Sequence, residues 1–196
     1  MIGTQMIVKG LNFENVTLVG VLLADQSLYS GDFHATERTF SLITQVVGRS
    51  GRGEKPGRAV IQTFTPDNEV IRQAAAQDYE AFYRSEILLR KLQNTPPFAN
   101  ILTVTASGKS EQLVVQSCRL LRHYLEKLLG KTDKVQILGP TPLAVVRVND
   151  RYRYRVILRC SVNNEIRKAV ATVITLCSTD KRFRGVTFYA DNDPEQ

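Results

Sequence analysis

Two arginines near the start of the chain are the residues best suited to phosphate chemistry. Arg49 and Arg52 lie in the segment 44–64, TQVVGRSGRGEKPGRAVIQTF, three residues apart and with glycines between and around them. A planar guanidinium can contact two phosphate oxygens at once, and glycine lets the backbone approach a ligand closely. The pattern predicts a phosphate-contacting pair, and a solvated basic turn is the alternative.

A phosphate loop that would hold a nucleotide requires the pattern G-x-x-x-x-G-K-[ST]. The tripeptides GKS (108–110) and GKT (130–132) lack the first glycine, because the positions five residues earlier are Thr103 and Leu125. We therefore predict that both tripeptides are turns. Since arginine fingers are often supplied by a domain that does not hold the nucleotide, the arginine pair predicts one half of a composite site.

A second set of arginines lies in NDRYRYRVILR, residues 149–159. Alternate residues of a strand share a face and repeat about every 7 Å, close to the phosphate spacing of an extended nucleic-acid strand. One face would carry four arginines, Arg151, Arg153, Arg155 and Arg159. The other would carry Tyr152, Tyr154, Val156 and Leu158. We predict that the second face packs on helices and that the first contacts a DNA backbone, with an ordinary solvated sheet face as the alternative.

The elements that position the first arginine pair have the pattern of a βαβ unit. The apolar run 16–24 predicts a strand buried on both faces. A helical stretch, ATERTFSLITQVVGR, and a second strand at 59–64 follow it. Residues 69–93 predict one or two helices that end at NTPPF, with Tyr79, Phe82 and Tyr83 in the core.

The rest of the chain alternates between strands and helices. Strands are predicted at 100–106, in three short segments between 135 and 160, and near the C-terminus, with helices at 110–130 and 164–178. This βαβββαβ order predicts two helices against a mostly antiparallel sheet. The predicted fold class is thus α/β for domain 1–66 and α+β for domain 96–196, joined by a helical connector, 67–95.

Composition limits the class of protein. With 43% hydrophobic and 23% charged residues and no long apolar run, the chain is expected to be globular, cytoplasmic and not membrane-bound. A net charge of +7 suggests an anionic partner, most often nucleic acid. Three scattered cysteines and two histidines give neither a disulfide framework nor a metal site.

Several segments resemble known helicase motifs. QVVGRSGR resembles motif VI of superfamily 2 helicases, Q-x-x-G-R-x-G-R, and IGTQMIVKGLNF resembles their motif V, in the same order and separation. With VTLVGVLLAD, DFHATERTF, VIQTFTPDNEVI, DYEAFYRSE and PPF, the series is similar to the primosomal replication-restart helicases of the PriA type. The resemblance covers essentially the whole chain.

This resemblance implies the C-terminal portion of an ATP-dependent 3′→5′ DNA helicase. The chain would hold the later part of the second RecA-like lobe and a C-terminal DNA- and partner-binding domain. The phosphate loop, the Mg²⁺-binding carboxylates and the family's zinc-binding cysteines would precede residue 1, so the chain alone is expected not to hydrolyse ATP. Implied partners are branched or forked DNA, the tail of single-strand-binding protein and other primosome proteins.

The resemblance also implies roles for individual residues. Catalytic arginine fingers would be Arg49 and Arg52. The ATP site would be lined by Gln45, Gly48, Gly3, Thr4, Gln5, Gly10 and Asn12. DNA would be contacted by Thr4 and Lys9 together with Arg151, Arg153, Arg155 and Arg159. The protein partner would bind Arg167 and Lys168.

One position departs from the family pattern. Asn12 stands where family members usually carry aspartate; it keeps the shape but removes a charge. Two alternatives to a helicase portion stay open at this point. They are a stand-alone nucleic-acid-binding module and a non-functional remnant of a truncated helicase gene.

Overall fold

A computed structural model describes residues 16–30, 32–48, 57–130 and 135–194. The chain divides into two compact units, the first ending at Leu89 and the second beginning at Arg90. Each unit has its own hydrophobic core. The division falls within a helix of the predicted connector.

The first unit contains a βαβ unit, as predicted. Strands β1 (Leu18–Val21) and β2 (Arg58–Ile61) pair in parallel. Between them lie a short helix, α1 (Asp25–Leu28), and the amphipathic helix α2 (Ala35–Val47). The buried face of α2 supplies Phe40 and Ile43 to the core, where they meet residues of the next helices.

The expectation that the first strand is buried on both faces is wrong. Leu18 is 64% exposed and Leu22 is 74% exposed, and Phe64, just beyond β2, is 82% exposed. The helices pack on one side of a two-stranded sheet, and no described residue of this unit covers the apolar side chains left on the other. An apolar run gives the propensity for a strand but does not by itself provide a second covering layer.

The segment 69–93 forms two helices, α3 (Glu69–Ala76) and α4 (Tyr79–Gln93). Asn68 begins α3, since its side chain accepts hydrogen bonds from the N–H groups of Val70 and Ile71. Gln77, with φ of 57°, ends α3. The sequence predicted one or two helices here, and the structure has two. The left-handed backbone of Gln77 separates α3 from α4.

The core prediction for the aromatic residues of α4 is right for one residue of three. Phe82 is buried and stacks on Phe40, with ring centroids 4.2 Å apart. Tyr79 and Tyr83 are 59% and 49% exposed. The i, i+3, i+4 spacing places all three rings near one face of α4. Of the three, only Phe82 is buried in the apolar layer beneath the helix.

The second unit is an antiparallel four-stranded sheet with two helices on one face, as predicted. Its strands are β3 (Asn100–Gly108), β4 (Val135–Val148), β5 (Arg151–Cys160) and β6 (Thr187–Asn192). Their spatial order is β4-β5-β3-β6. Helices α5 (Glu111–Leu129) and α6 (Asn164–Thr179) pack on the sheet, and a short 3₁₀ turn (Lys181–Phe183) precedes β6.

The element order differs from the prediction by one strand. The two short strands expected between 135 and 148 are the single strand β4, so the order is βαββαβ. Its pairing with β5 shifts register twice, between Leu138 and Thr141 and between Pro142 and Arg147. Pro140 and Pro142 lack the N–H that a ladder needs, but bulges on an edge strand accommodate them without ending the strand.

The core of the second unit lies between the sheet and the two helices. It contains Leu121 and Leu125 of α5, Val173 of α6, and Val156 and Leu158 of β5, each at most 1% exposed. All three cysteines, Cys118, Cys160 and Cys177, are free and buried in this core. Among the described residues, no helix is long and apolar enough to cross a membrane.

Candidate nucleic-acid interface

The candidate nucleotide-facing residues divide between described and undescribed parts of the chain. Gln45 and Gly48 are described. The remaining members of that set lie outside the described residues: Gly3, Thr4, Gln5, Lys9, Gly10, Asn12, Arg49 and Arg52. For these eight residues the roles stated above stay predictions.

Gly48 forms the end of α2, as the sequence predicts for a helix that leads into a glycine-rich turn. The N–H of Gly48 donates to Thr44 O at 2.9 Å. Gln77 donates from its side-chain amide to the same carbonyl at 3.3 Å. A Cβ at position 48 would lie 3.2 Å from that amide nitrogen, which is tighter than ordinary packing. Gln77, the C-cap residue of α3, thus holds the end of α2, which precedes the arginine pair in the sequence.

Gln45 is exposed one turn before this helix end. Its amide donates to Ser41 Oγ at 3.0 Å, on the same face of α2. The side-chain oxygen stays available to solvent or to a ligand. This placement suits a polar contact near a phosphate site but does not by itself define one.

Asp25 is a structural residue that the sequence analysis did not single out. Its buried carboxylate accepts hydrogen bonds from Thr63 Oγ1 at 2.7 Å, Phe64 N at 2.8 Å and Thr65 Oγ1 at 2.5 Å. These bonds, led by those from Thr65 and Thr63, lower the pKa of Asp25 from 3.8 to about 2. An aspartate four residues after β1, at the start of α1, therefore fixes the segment after β2, at the carboxyl edge of the parallel pair. The position of an acid directly after an apolar run was the available signal.

The arginine set of β5 lies on the face of the sheet opposite the helices, as predicted. We call this the open face. Tyr154, Val156, Leu158 and Cys160 pack into or against the core. The alternate residues, Arg151, Arg153, Arg155, Ile157 and Arg159, point the other way and are half-buried.

The floor of the open face is formed by β3. Thr103, Thr105 and Ser107 are buried, although they alternate with the core residues Leu102, Val104 and Ala106. Ser107 is paired with Arg153, and Thr105 with Arg155. The aliphatic stems of long side chains on neighbouring strands can cover such small residues while their charged ends stay accessible. The open face is thus a layer of guanidinium groups above a row of hydroxyls.

The four arginines are not equivalent, which is a finding beyond the uniform outward-facing set expected from alternation. Arg151 is bound on several sides, donating to Ser107 Oγ at 3.1 Å, Ser107 O at 2.5 Å and Thr187 Oγ1 at 3.0 Å. Arg153 donates to Val145 O at 2.7 Å, and Arg159 to Gln93 O at 2.9 Å. In each of these three side chains, at least one guanidinium N–H group donates a hydrogen bond within the second unit.

Arg155 has no hydrogen-bond or ion-pair partner among the described residues, and its Nε is buried. Burial lowers the pKa of Arg155 below its ordinary value. A half-buried cation without an acceptor is costly in a folded protein unless an anion binds to it. Arg155 is therefore the arginine of the open face that is best prepared to receive a phosphate.

The spacing of the arginines is also uneven. Arg151, Arg153 and Arg155 follow one another at about 7 Å, but Ile157 takes the next position on the open face, so Arg159 lies about 13 Å beyond Arg155. A regular one-to-one match between four arginines and four phosphates along β5 therefore does not exist.

The partner-binding candidates Arg167 and Lys168 are both exposed in the first turns of α6. They do not line the groove that the structure shows elsewhere in this unit. That groove, about 420 Å³ in volume, runs between α5 and the 3₁₀ turn and is lined by Leu113, Gln116, Arg119, Leu120, His123, Arg182 and Phe183. The sequence alone gives no sign of this groove, because its two sides are about sixty residues apart in the chain.

The remaining candidate chemistry is structural. Burial raises the pKa of Cys118 to about 12 and that of Cys177 to about 11, so both stay protonated. No group of three or more metal-ligating side chains occurs among the described residues. The tripeptide GKS joins the last residue of β3, Gly108, to α5, and Ser110 begins the helix by accepting from Leu113 N. In GKT, Lys131 and Thr132 lie outside the described residues.

The fold and the open face define a class: a two-unit α/β and α+β protein with a basic sheet face suited to an anionic polymer. A family model, the Primosomal protein N C-terminal domain, matches residues 91–195. The chain belongs to this family. The matched range coincides with the second compact unit, which begins at Arg90.

Relatives extend the similarity over both units. The Replication restart protein PriA of Bacillus subtilis is 38% identical over 194 residues, which is 99% of this chain and 24% of that protein. The protein of the same name from Synechocystis is 39% identical over 159 residues, 81% of this chain and 19% of that protein. That from Chlamydia pneumoniae is 37% identical over 99% of this chain and 25% of that protein. The chain thus spans about a quarter of the length of these relatives.

Proposed function

We propose that the chain is the C-terminal portion of an ATP-dependent 3′→5′ DNA helicase that acts in replication restart. The support is the family membership and the similarity of nearly the whole chain to proteins named for replication restart. In this proposal the first unit belongs to the second RecA-like lobe, and the second unit binds DNA and protein partners in the cytoplasm.

The first unit supplies one side of the ATP site. Arg49 and Arg52 follow directly on the helix end at Gly48, which Gln77 holds in place. Their guanidinium groups stabilise charge on the transferred phosphoryl group when the facing lobe brings ATP and Mg²⁺. The exposed apolar side of β1 and β2 fits a lobe in which a further packed layer covers this face of the sheet.

No metal ligand is assigned to the described residues in this proposal. They contain no cluster of carboxylates, cysteines or histidines that would hold Mg²⁺ or the family's zinc. Those ligands are assigned to the preceding part of the complete helicase. The described residues near Gly48 instead offer a polar amide at Gln45, which suits nucleotide contact.

The second unit binds the DNA backbone through the open face. The observation that carries this proposal is the placement of four arginines on the sheet face away from the helices, with hydroxyls beneath them. Guanidinium groups above hydroxyls match the acceptor oxygens of phosphodiesters, and such contacts are independent of sequence. Branched or forked DNA is the expected substrate. Arg167 and Lys168 are the proposed contacts for the acidic tail of single-strand-binding protein.

Fluorescence anisotropy with labelled forked DNA tests the DNA proposal. The variant Arg153→Ala, Arg155→Ala, Arg159→Ala is expected to bind more weakly and with a smaller dependence on salt, because fewer counterions are released. A matched control removes three charges from the helical side, at Arg119, Arg167 and Lys168, and should retain affinity. Equal losses in both variants would contradict the assignment to the open face.

A chimera tests the ATP proposal. The chain is joined to the preceding part of the Bacillus subtilis relative, and DNA-stimulated ATP hydrolysis is measured. Arg52→Ala should abolish turnover, because one finger typically contributes about 10³ to 10⁵ in rate. If the chimera is active and Arg52→Ala leaves its rate unchanged, the finger assignment is wrong. If no active chimera forms while the chain alone binds DNA, the stand-alone binding module is favoured, since the second unit has its own core.

A further inference from the structure

One row of side chains crosses the open face at its centre. The strand register places Thr141 of β4 opposite Arg155 of β5, Arg155 opposite Thr105 of β3, and Thr105 opposite Tyr189 of β6. Residues directly opposite in an antiparallel sheet point to the same face. The row therefore presents, in order, an exposed hydroxyl, a guanidinium, a buried hydroxyl and a phenol ring.

The neighbours of Tyr189 confirm its face. Thr187, two residues earlier, accepts a hydrogen bond from Arg151 on the open face. Phe188, between them, packs against the core on the helical side. Tyr189 is 47% exposed, and no described residue makes a ring contact with it. An exposed tyrosine on a basic sheet face is the platform on which an unstacked nucleic-acid base can lie.

We propose that this row is a nucleotide site for single-stranded DNA, with a phosphate on Arg155 and the adjoining base stacked on Tyr189. The site rests on the proposed function, namely that the open face binds DNA. Arg155 and Tyr189 are two strands apart, so their Cα atoms lie about 10 Å from each other. Both side chains rise from the open face, so a single nucleotide that lies across these strands would contact both.

The path that follows crosses the strands and does not run along β5. Arg151 is held by Ser107 and Thr187, so fewer of its N–H groups are available to DNA than those of Arg155. Ile157 interrupts the arginines on the side of Arg159. In the same row as Ile157, the exposed carboxylate of Asp191 disfavours a phosphate. The route that avoids these obstacles runs over Arg155 towards Tyr189.

Stacking on Tyr189 selects single strands over duplex. In duplex DNA both faces of each base are already stacked, so a duplex can use Arg155 but not the ring. A single strand can use both. The site would thus distinguish the unpaired part of a fork from its arms, without reading sequence.

The test uses the full chain and three labelled probes: an oligothymidylate, an abasic oligonucleotide of the same length, and a duplex of that length. Arg155→Gln should weaken binding of all three, because each contributes a phosphate. Tyr189→Leu should weaken binding of oligothymidylate by about fivefold or more and leave the abasic probe and the duplex unchanged. Matched controls are Arg119→Gln, on the helical face, and Tyr29→Leu, an exposed tyrosine of the first unit.

Thermal melting separates a loss of contact from a loss of fold. Arg155→Gln should melt close to the parent chain, since Arg155 makes no bond within the described structure. If oligothymidylate binding is unaffected by Tyr189→Leu, or falls equally for the abasic probe, the crossing path is wrong even though the open face binds DNA. A protein partner is the alternative occupant. It is favoured by two results together: an acidic peptide displaces the abasic probe from the parent chain but not from Arg155→Gln, and Tyr189→Leu leaves the binding of oligothymidylate unchanged. If the parent chain binds none of the probes, the proposed function itself fails.

Discussion

The two compact units differ in how the two faces of their sheets are covered. In the second unit one face is covered by α5 and α6 and the other is covered by its own arginine stems. In the first unit one face is covered by helices, and the other leaves Leu18 and Leu22 exposed. The difference shows that β-branched and leucine-rich runs identify strands equally well in both units. They do not show whether a covering layer is supplied by the same part of the chain.

The largest expected effect compares one leucine from each sheet. Leu158→Ala in β5 should destabilise the second unit by about 2–5 kcal/mol, because it leaves a cavity in a core where Leu158 is fully buried. Leu18→Ala in β1 should change stability by less than about 0.5 kcal/mol. Denaturant unfolding followed by hydrogen exchange resolves the two units. Similar losses for both leucines would show that β1 is covered in solution and would remove the contrast.

A smaller effect separates two arginines on one strand. Arg151→Gln removes hydrogen bonds to Ser107, Gly185 and Thr187, and should cost about 1–3 kcal/mol of stability. Arg155→Gln should cost less than about 0.5 kcal/mol, because glutamine keeps part of the aliphatic stem and Arg155 makes no hydrogen bond among the described residues. The measurement is the midpoint of thermal unfolding for each variant, with Arg119→Gln as the control for loss of one charge. A destabilisation by Arg155→Gln as large as that by Arg151→Gln would contradict their separate roles.

The smallest effect appears only in acid and is confined to the first unit. Because the folded pKa of Asp25 is about 2 and its ordinary value is 3.8, the carboxylate stabilises the fold above pH 3.8. That stabilisation is lost as pH falls from 3.8 towards 2. Asp25→Asn cannot ionise, so its stability should depend less on pH in this window. Melting curves across the window test this.

The second unit offers the matched group for that titration. Arg182 lowers the pKa of Asp180, but this ion pair is on the surface and contributes little to stability. Asp180→Asn should therefore leave the acid dependence close to that of the parent chain. If Asp180→Asn removed more of the acid dependence than Asp25→Asn, the buried carboxylate would not be the controlling group.

Local periodicity accounts for the parts of the fold that the sequence predicted. The period of two in β5 placed Val156 and Leu158 in the core and Arg153 and Arg155 on the other face. The predicted helical stretch, ATERTFSLITQVVGR, ends within two residues of the observed end of α2 at Val47. These features depend on neighbours within a few residues, so the pattern contains the whole signal.

Features that join distant segments could not be predicted. Arg151 finds its acceptors 44 and 36 residues away, at Ser107 and Thr187. The row from Thr141 to Tyr189 exists only because four strands pair in one register. The bulges that make β4 one strand also depend on its partner. A single sequence records none of these pairings, so the difference between Arg151, which is hydrogen-bonded, and Arg155, which has no partner among the described residues, emerged only from the structure.

The three cysteines in the core have a practical consequence for following the molecule at work. Cys118, Cys160 and Cys177 are sealed between helices and sheet, and burial raises the pKa of each thiol. Maleimide and disulfide reagents react with thiolates, so the three buried and protonated thiols should react with them only slowly. A dye attached to one introduced surface cysteine would report from that position alone. Any slow reaction of the native thiols would time the transient opening of the second unit.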